Sequence, residues 1–256
     1  MTAGTDDLVL ETRGLTKSFR GFAAVDGVDL QVGHGRVHAL VGPNGAGKTT
    51  MFNLLTGFLK PTSGRVLFNG RDITGMEPEA ITPLGVARSF QITSLFDEMS
   101  LIEHVELALA SRSGLTTKFW RSQKILRRFH EEAMVALDRV GLKALSHARA
   151  GSLAYGQKRA LELTLAVALD PQLLLLDEPT AGMGLEDVDR TIALIKELSA
   201  GRTVVFVDHN MHVVGSLADE VTVMQSGRVL VQGTYDEVRA DSRVVEAYLG
   251  SSHATD

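Results

Sequence analysis

The stretch VHALVGPNGAGKTTMFNLLTGFL, Val37 to Leu59, decides the fold. Its opening VHALVG is short, apolar and β-branched at its ends, the composition of a buried strand, while MFNLLTGFL spaces its apolar residues as a helix does. Between them Gly42, Pro43, Asn44, Gly45, Ala46, Gly47, Lys48 and Thr49 match G-x-x-x-x-G-K-[ST] in the strand, glycine loop, helix setting that gives the motif its meaning. Glycines allow successive backbone N–H groups to converge on phosphate oxygens. Lys48 neutralises the terminal phosphates, Thr49 offers a hydroxyl to magnesium with Thr50 beside it, and the helix turns its positive end to the anion. The loop predicts a nucleotide bound with Mg2+ and by itself leaves kinases, GTPases, helicases and transport ATPases open.

Working outward, LLLLDEP runs an apolar strand, Leu173 to Asp177, into two acids. Asp177 is positioned to hold magnesium directly or through water, and Glu178 to polarise the attacking water. TVVFVDH, Thr203 to His209, is a second buried-looking strand, separated from the first by an amphipathic segment over Glu186 to Leu198. That alternation indicates a parallel sheet. Leu8–Thr12, Val25–Val32, Arg36–Val41 and Gly64–Asn69 read as strands, the last ending in an Asn69-Gly70 turn. From Leu101 to Ala168 the periodicity becomes helical and suggests an insertion. VTVMQSGRVLVQG reads as a late hairpin and DEVRADSRVVEAYLG as closing helices. The fold class expected is α/β: a P-loop NTPase (RecA-like) core with a mixed sheet, N-terminal antiparallel β elements and an α-helical subdomain insertion.

Composition narrows the function. The 256 residues carry a formal net charge of -5, which argues against a surface that is one basic nucleic-acid footprint. Without cysteine there is neither disulfide nor thiolate metal ligand. The start, MTAGTDDLVLET, is polar and acidic where a secretory signal would be basic and then apolar. The longest apolar runs fall short of the roughly 20 residues of a membrane span, so work at a membrane would be done from its side.

SLAYGQKRALEL, between the phosphate loop and the carboxylate strand, resembles the LSGGQ signature of the ABC ATPase family through Leu153, Ala154, Tyr155, Gly156 and Gln157. The resemblance covers Leu8 to Gly250 and implies one ABC ATPase domain, with 8–91 and 166–250 as catalytic core and β subdomain and 92–165 as helical subdomain. It implies a head-to-tail dimer in which each signature caps the γ-phosphate bound by the other subunit. It gives Phe19 as the ring stacked on adenine, against the plainer reading of Phe19 as ordinary core. Gln91, in RSFQ, becomes the glutamine that senses magnesium, the water and the membrane partner. His209 becomes the γ-phosphate switch. The catalytic set is then Glu178, His209, Lys48 and Gln91, and the magnesium set Thr49, Gln91 and Asp177.

The chain departs from the family pattern at Ala154, where Ser is usual, at Tyr155, where Gly is usual, and at Gly184, where many relatives carry Asp. LAYGQ together with EPTAGM and GTYDEVRADSRVVEAYLG resembles the ATPases of branched-chain and hydrophobic amino-acid uptake. The partners this implies are integral-membrane permease subunits, a second ATPase subunit of the same or a different sequence, and indirectly a solute-binding protein, at the cytoplasmic face of the inner membrane, with no nucleic acid. A lipid or lipopolysaccharide exporter ATPase and a soluble non-transport ABC ATPase are the alternative readings. TKFWRSQKILRRFH sets Lys118, Arg121, Lys124, Arg127 and Arg128 beside Phe119, Trp120, Ile125 and Leu126, a basic helix with an apolar side that is either a solvated face or a contact for anionic lipid or a permease loop.

Overall fold

A computed structural model describes residues 7–89, 95–113 and 123–250. Two sheets and a helical layer enclose three apolar clusters. β1 (Leu8–Phe19) and β2 (Phe22–Gly33) form an antiparallel hairpin closed by Arg20 and Gly21, both at positive φ, 47° and 91°. Paired positive φ is the two-residue geometry that suits strand twist. β4 (Ser63–Phe68) and β5 (Arg71–Asp72) complete a sheet of order β2-β1-β4-β5. β1 continues well beyond Thr12, because register shifts around Arg13–Leu15 carry the pairing past Gly14.

The second sheet has the order β10-β9-β3-β8-β7-β6, formed by β3 (Val37–Val41), β6 (Val86–Ser89), β7 (Leu173–Asp177), β8 (Thr203–Val207), β9 (Glu220–Gln225) and β10 (Arg228–Gly233). β6, β7, β8, β3 and β9 are mutually parallel, and only the edge strand β10 is antiparallel. Leu173 and Leu175 enter the cluster shared with β1, β2 and α1 (Lys48–Leu55), while Leu174 and Leu176 enter the cluster on the opposite face. Burial on both faces is why this strand reads as a continuous apolar run. Over that second face lie α6 (Leu185–Ser199), which buries Val188, Ile192, Ile195 and Leu198 at helical spacing, and α7 (Met211–Leu217).

Two differences from the sequence reading have simple causes. β6 was not anticipated: its four residues include an arginine and follow Gly85, too short a run to show alternation. β8 stops at Val207, so Asp208 and His209 lie beyond the strand, where Asn210 caps α7 by accepting from the His212 N–H at 3.0 Å.

A short helix α2 (Pro78–Ile81) precedes β6. The third cluster is helical, built by α3 (Leu101–Arg112), α4 (Gln123–Arg139) and α5 (Tyr155–Ala168) around Leu101, Val105, Phe129, Leu137 and Leu161. Ser100 and Glu103 cap α3 reciprocally. The chain closes with α8 (Tyr235–Ala240) and α9 (Ser242–Gly250), whose Val244 and Ala247 are buried. Among the described residues no helix is long and apolar enough to cross a membrane.

Candidate functional site

In an open parallel sheet the crevice lies past the carboxyl ends of the strands. Here β3, β8 and β7 are neighbours, and they deliver the phosphate loop, His209 and the two acids to the same edge.

At its two ends, Gly42 and Gly47, the loop packs against backbone that leaves no room for a side chain. A Cβ on Gly42, whose φ is 148°, would lie 2.2 Å from the Met224 carbonyl oxygen. One on Gly47, with φ 101°, would lie 2.3 Å from the Ala24 carbonyl oxygen. The turn between β9 and β10 buttresses the loop, since the Gly227 N–H donates to the Ala46 carbonyl at 3.0 Å. Pro43 is half-buried, Asn44, Gly45 and Thr49 are exposed, Thr50 is half-buried, and Ala46 is buried. Lys48 folds back over the loop, its Nζ donating to the carbonyls of Gly42 at 2.7 Å and Pro43 at 3.0 Å. Burial pushes the Lys48 ammonium below its ordinary range, and the Glu178 carboxylate opposes that shift. Tyr248, on α9, takes a hydrogen bond from the Gly42 backbone, which draws its phenol down against the larger upward push of burial.

Asp177 ends β7, buried, with Oδ2 accepting from Arg88 Nη2 at 2.7 Å. Glu178 follows at φ 44°, the left-handed region, so the chain turns sharply between the two acids and aims them differently. His209 Nε2 lies 2.9 Å from Glu178 Oε1. Beneath them Thr180 Oγ1 donates to Asp208 Oδ2 at 2.7 Å, and the Glu178 N–H donates to the Val207 carbonyl at 2.9 Å, tying the ends of β7 and β8 together.

The signature residues stand at the start of α5. Leu153 is buried in the helical cluster, while Ala154 and Tyr155 are exposed. Without a hydroxyl at Ala154 only half of a capping box remains: Gln157 Oε1 accepts from the Ala154 N–H at 3.0 Å. Gly156 faces Asp187, with room for a Cβ at 3.5 Å. Tyr155 Oη donates to the Ala181 carbonyl at 2.9 Å, crossing to the loop after the acids. Phe19 closes β1, 44% exposed, with Lys17 Nζ 5.2 Å from its ring centre. Gln91 lies outside the described residues, as do Lys118, Phe119, Trp120 and Arg121. Arg127 and Arg128 are on α4, paired with Glu131 and Glu132 one turn on.

Sequence reading missed two arginines. Arg88 holds Asp177, and Arg159, buried on α5, donates to the carbonyls of Pro179 and Asp177 at 3.2 Å each, flanking Glu178. Arg88 stands in GVARSFQ with no motif to mark it, and Arg159 follows Lys158 directly after the signature residues, where it reads as one more solvated charge.

The donors suit a hard cation beside phosphates: a hydroxyl at Thr49 and a carboxylate at Asp177. Among the described residues no group of three or more His, Cys, Asp or Glu could hold a metal ion. A magnesium ion here would draw its remaining oxygens from phosphate and water.

A P-loop entering α1, acids at the end of β7 and a histidine past β8, with a helical layer carrying LAYGQ, define an ATP-binding cassette. The chain belongs to the ABC transporter family, whose model matches residues 25–181, and its members are ATPases coupled to transport. A second model, the branched-chain amino acid ATP-binding cassette transporter, matches residues 228–254. The chain is 40% identical to the high-affinity branched-chain amino acid transport ATP-binding protein BraF of Pseudomonas aeruginosa, over 95% of this chain and 98% of that protein. It is 37% identical to LivG of Escherichia coli, again over 95% and 98%. Among solved structures, the ADP conformation of an ATP-binding cassette of an ABC transporter superposes with a TM-score of 0.83 at 31% identity, covering 95% of this chain and 99% of that one.

Proposed function

We propose that this chain is the ATP-hydrolysing subunit of an importer of branched-chain or other hydrophobic amino acids, binding Mg2+-ATP on the phosphate loop. The observation that carries the reading is the 2.9 Å contact of His209 with Glu178 on the edge that also presents Lys48. The names of BraF and LivG, and the match of the C-terminal segment, support the cargo class.

Backbone N–H groups of Asn44, Gly45, Gly47, Lys48, Thr49 and Thr50 cradle the phosphates, and Lys48 exchanges the Gly42 and Pro43 carbonyls for phosphate oxygens. Thr49 and Asp177, with Gln91, would hold magnesium, which would supply charge neutralisation beside the phosphates. Glu178 accepts the proton of the attacking water. His209 orients that carboxylate and touches the γ-phosphate. Phe19 stacks on adenine, a contact worth roughly 1–3 kcal/mol.

Residues 153–157 serve a second ATPase subunit across a dimer, and the cassette works at the cytoplasmic face of the membrane under permease subunits served by a solute-binding protein. Domain limits of 8–91 and 166–250 for the core, with 92–165 for the helical subdomain, belong to this reading. Ala154 offers no hydroxyl to the γ-phosphate opposite, so a different ATPase subunit with Ser at that position would make the two sites unequal. ATPase activity of the purified chain, alone and with a second ATPase subunit whose signature carries Ser, tests this pairing. Full activity alone contradicts it.

A further inference from the structure

Arg88 has a place in the site that neither the motifs nor the family matches give it. Its side chain is 10% exposed, and that of Asp177 is 4% exposed. Nη2 donates to Asp177 Oδ2 at 2.7 Å, while Nη1 donates to Asn53 Oδ1 at 2.7 Å and Thr56 Oγ1 at 3.2 Å. The guanidinium also lies over two rings, 5.9 Å from the centre of Phe52 and 5.5 Å from that of Phe58. A buried cation must be paired and hydrogen-bonded to be tolerated, and both Nη groups of this one are.

A general strut would explain burial alone. The identity of the partners says more. Asp177 is one wall of the crevice, and Asn53 lies on the helix that begins with Lys48 and Thr49. One planar fork therefore fixes the distance between the carboxylate strand and the phosphate-loop helix, the two elements between which the cation would sit. With Oδ2 committed to Arg88, Oδ1 is the oxygen left to face a cation. Lysine has a single point of charge and cannot bridge the two elements in the same way.

We propose that Arg88 is a positioning residue for the magnesium–nucleotide complex, setting the rotamer of Asp177 and its separation from Thr49. The proposal rests on the reading of Asp177 as the magnesium-holding carboxylate.

The test is the affinity of the purified chain for mant-ATP, measured by fluorescence in excess Mg2+ and again in EDTA. The ratio of the two affinities isolates the metal contribution from overall folding. Arg88→Met should reduce that ratio about tenfold, the size of one charge-assisted hydrogen bond, with affinity in EDTA changed by no more than about twofold. Arg88→Lys should fall between. Asn53→Ala, which removes the helix anchor alone, should lower the ratio in the same direction by less, and it decides the matter should Arg88→Met fail to fold. An unchanged or larger ratio in Arg88→Met, or in Asn53→Ala where that variant decides, overturns the proposal. Asp177→Asn separates the layers: an unchanged ratio there overturns the reading of Asp177 itself, whereas a collapsed ratio with Arg88→Met at the wild-type value overturns only the role of Arg88.

Discussion

His209 Nε2 stands 2.9 Å from Glu178 Oε1, although the residues are 31 apart in sequence and leave the sheet from adjacent strands. A carboxylate can only accept, so Nε2 carries the hydrogen of this bond. The histidine thereby holds Glu178 in one orientation, which matters because the Glu178 backbone is already committed to φ 44°. His209→Ala should lower kcat by about 10²-fold or more, at the lower end of what a positioned acid–base pair contributes, with KM for ATP nearly unchanged. Steady-state hydrolysis checks the split. A rise in KM with kcat intact would assign His209 to binding alone.

Tyr155 joins the signature to the loop after the acids within one chain, through its bond to the Ala181 carbonyl. Tyr155→Phe removes that hydroxyl and should cost about 0.5–1.5 kcal/mol locally. Hydrogen exchange at the amides of Gly182 and Met183 should quicken, with little change at β7. Equal exchange in both proteins would mean the bond holds nothing in place.

The two glycines of the phosphate loop at positions 45 and 47 separate backbone strain from collision. A Cβ on Gly45 meets nothing within 4 Å, whereas one on Gly47 meets the Ala24 carbonyl oxygen at 2.3 Å. Both substitutions to Ala carry the positive-φ penalty of about 1–3 kcal/mol, and only Gly47→Ala must also displace β2. Thermal unfolding should place Gly47→Ala clearly below Gly45→Ala, with nucleotide binding lost in the former.

Asp241 caps α9, accepting from the Arg243 N–H at 2.9 Å and from its guanidinium at 2.6 Å. Those bonds hold its carboxyl at about 2, below the ordinary 3.8. A lowered folded value means the cap favours the folded state above roughly pH 4 and loses that contribution as pH falls toward 2. An NMR titration of Asp241 should show the low midpoint, and Asp241→Asn should remove this part of the acid dependence of α9. Because Tyr248 on that helix bonds with Gly42, loosening α9 should also weaken nucleotide binding.

The core of this fold was legible because its information is local. A strand, Gly42–Thr49 and a helix are contiguous, and LLLLDEP carries its own burial and its own acids. Across the sheet the sequence is silent. That His209 would meet Glu178 follows from strand order, which places β8 between β3 and β7, and no spacing encodes it. Arg88 sits on a four-residue strand too short to show a period, and its partners, Asn53 and Asp177, are 35 and 89 residues away. The phenol of Tyr155 was read as a lost glycine, and only the structure shows it bonded to Ala181. The helical insertion from Leu101 to Ala168, by contrast, is read from periodicity, which blurs where α5 serves both the helical cluster and, through Arg159, the carboxylate strand.

The central claim is that Glu178 takes the proton of the attacking water while the rest of the site binds nucleotide. Single-turnover hydrolysis by Glu178→Gln, with ATP retention measured on the same preparation, tests it most directly. The account predicts a fall in turnover of about 10²–10⁴-fold with Mg2+-ATP held at least as tightly as in the unaltered chain. Turnover within a few-fold of the unaltered protein would contradict it.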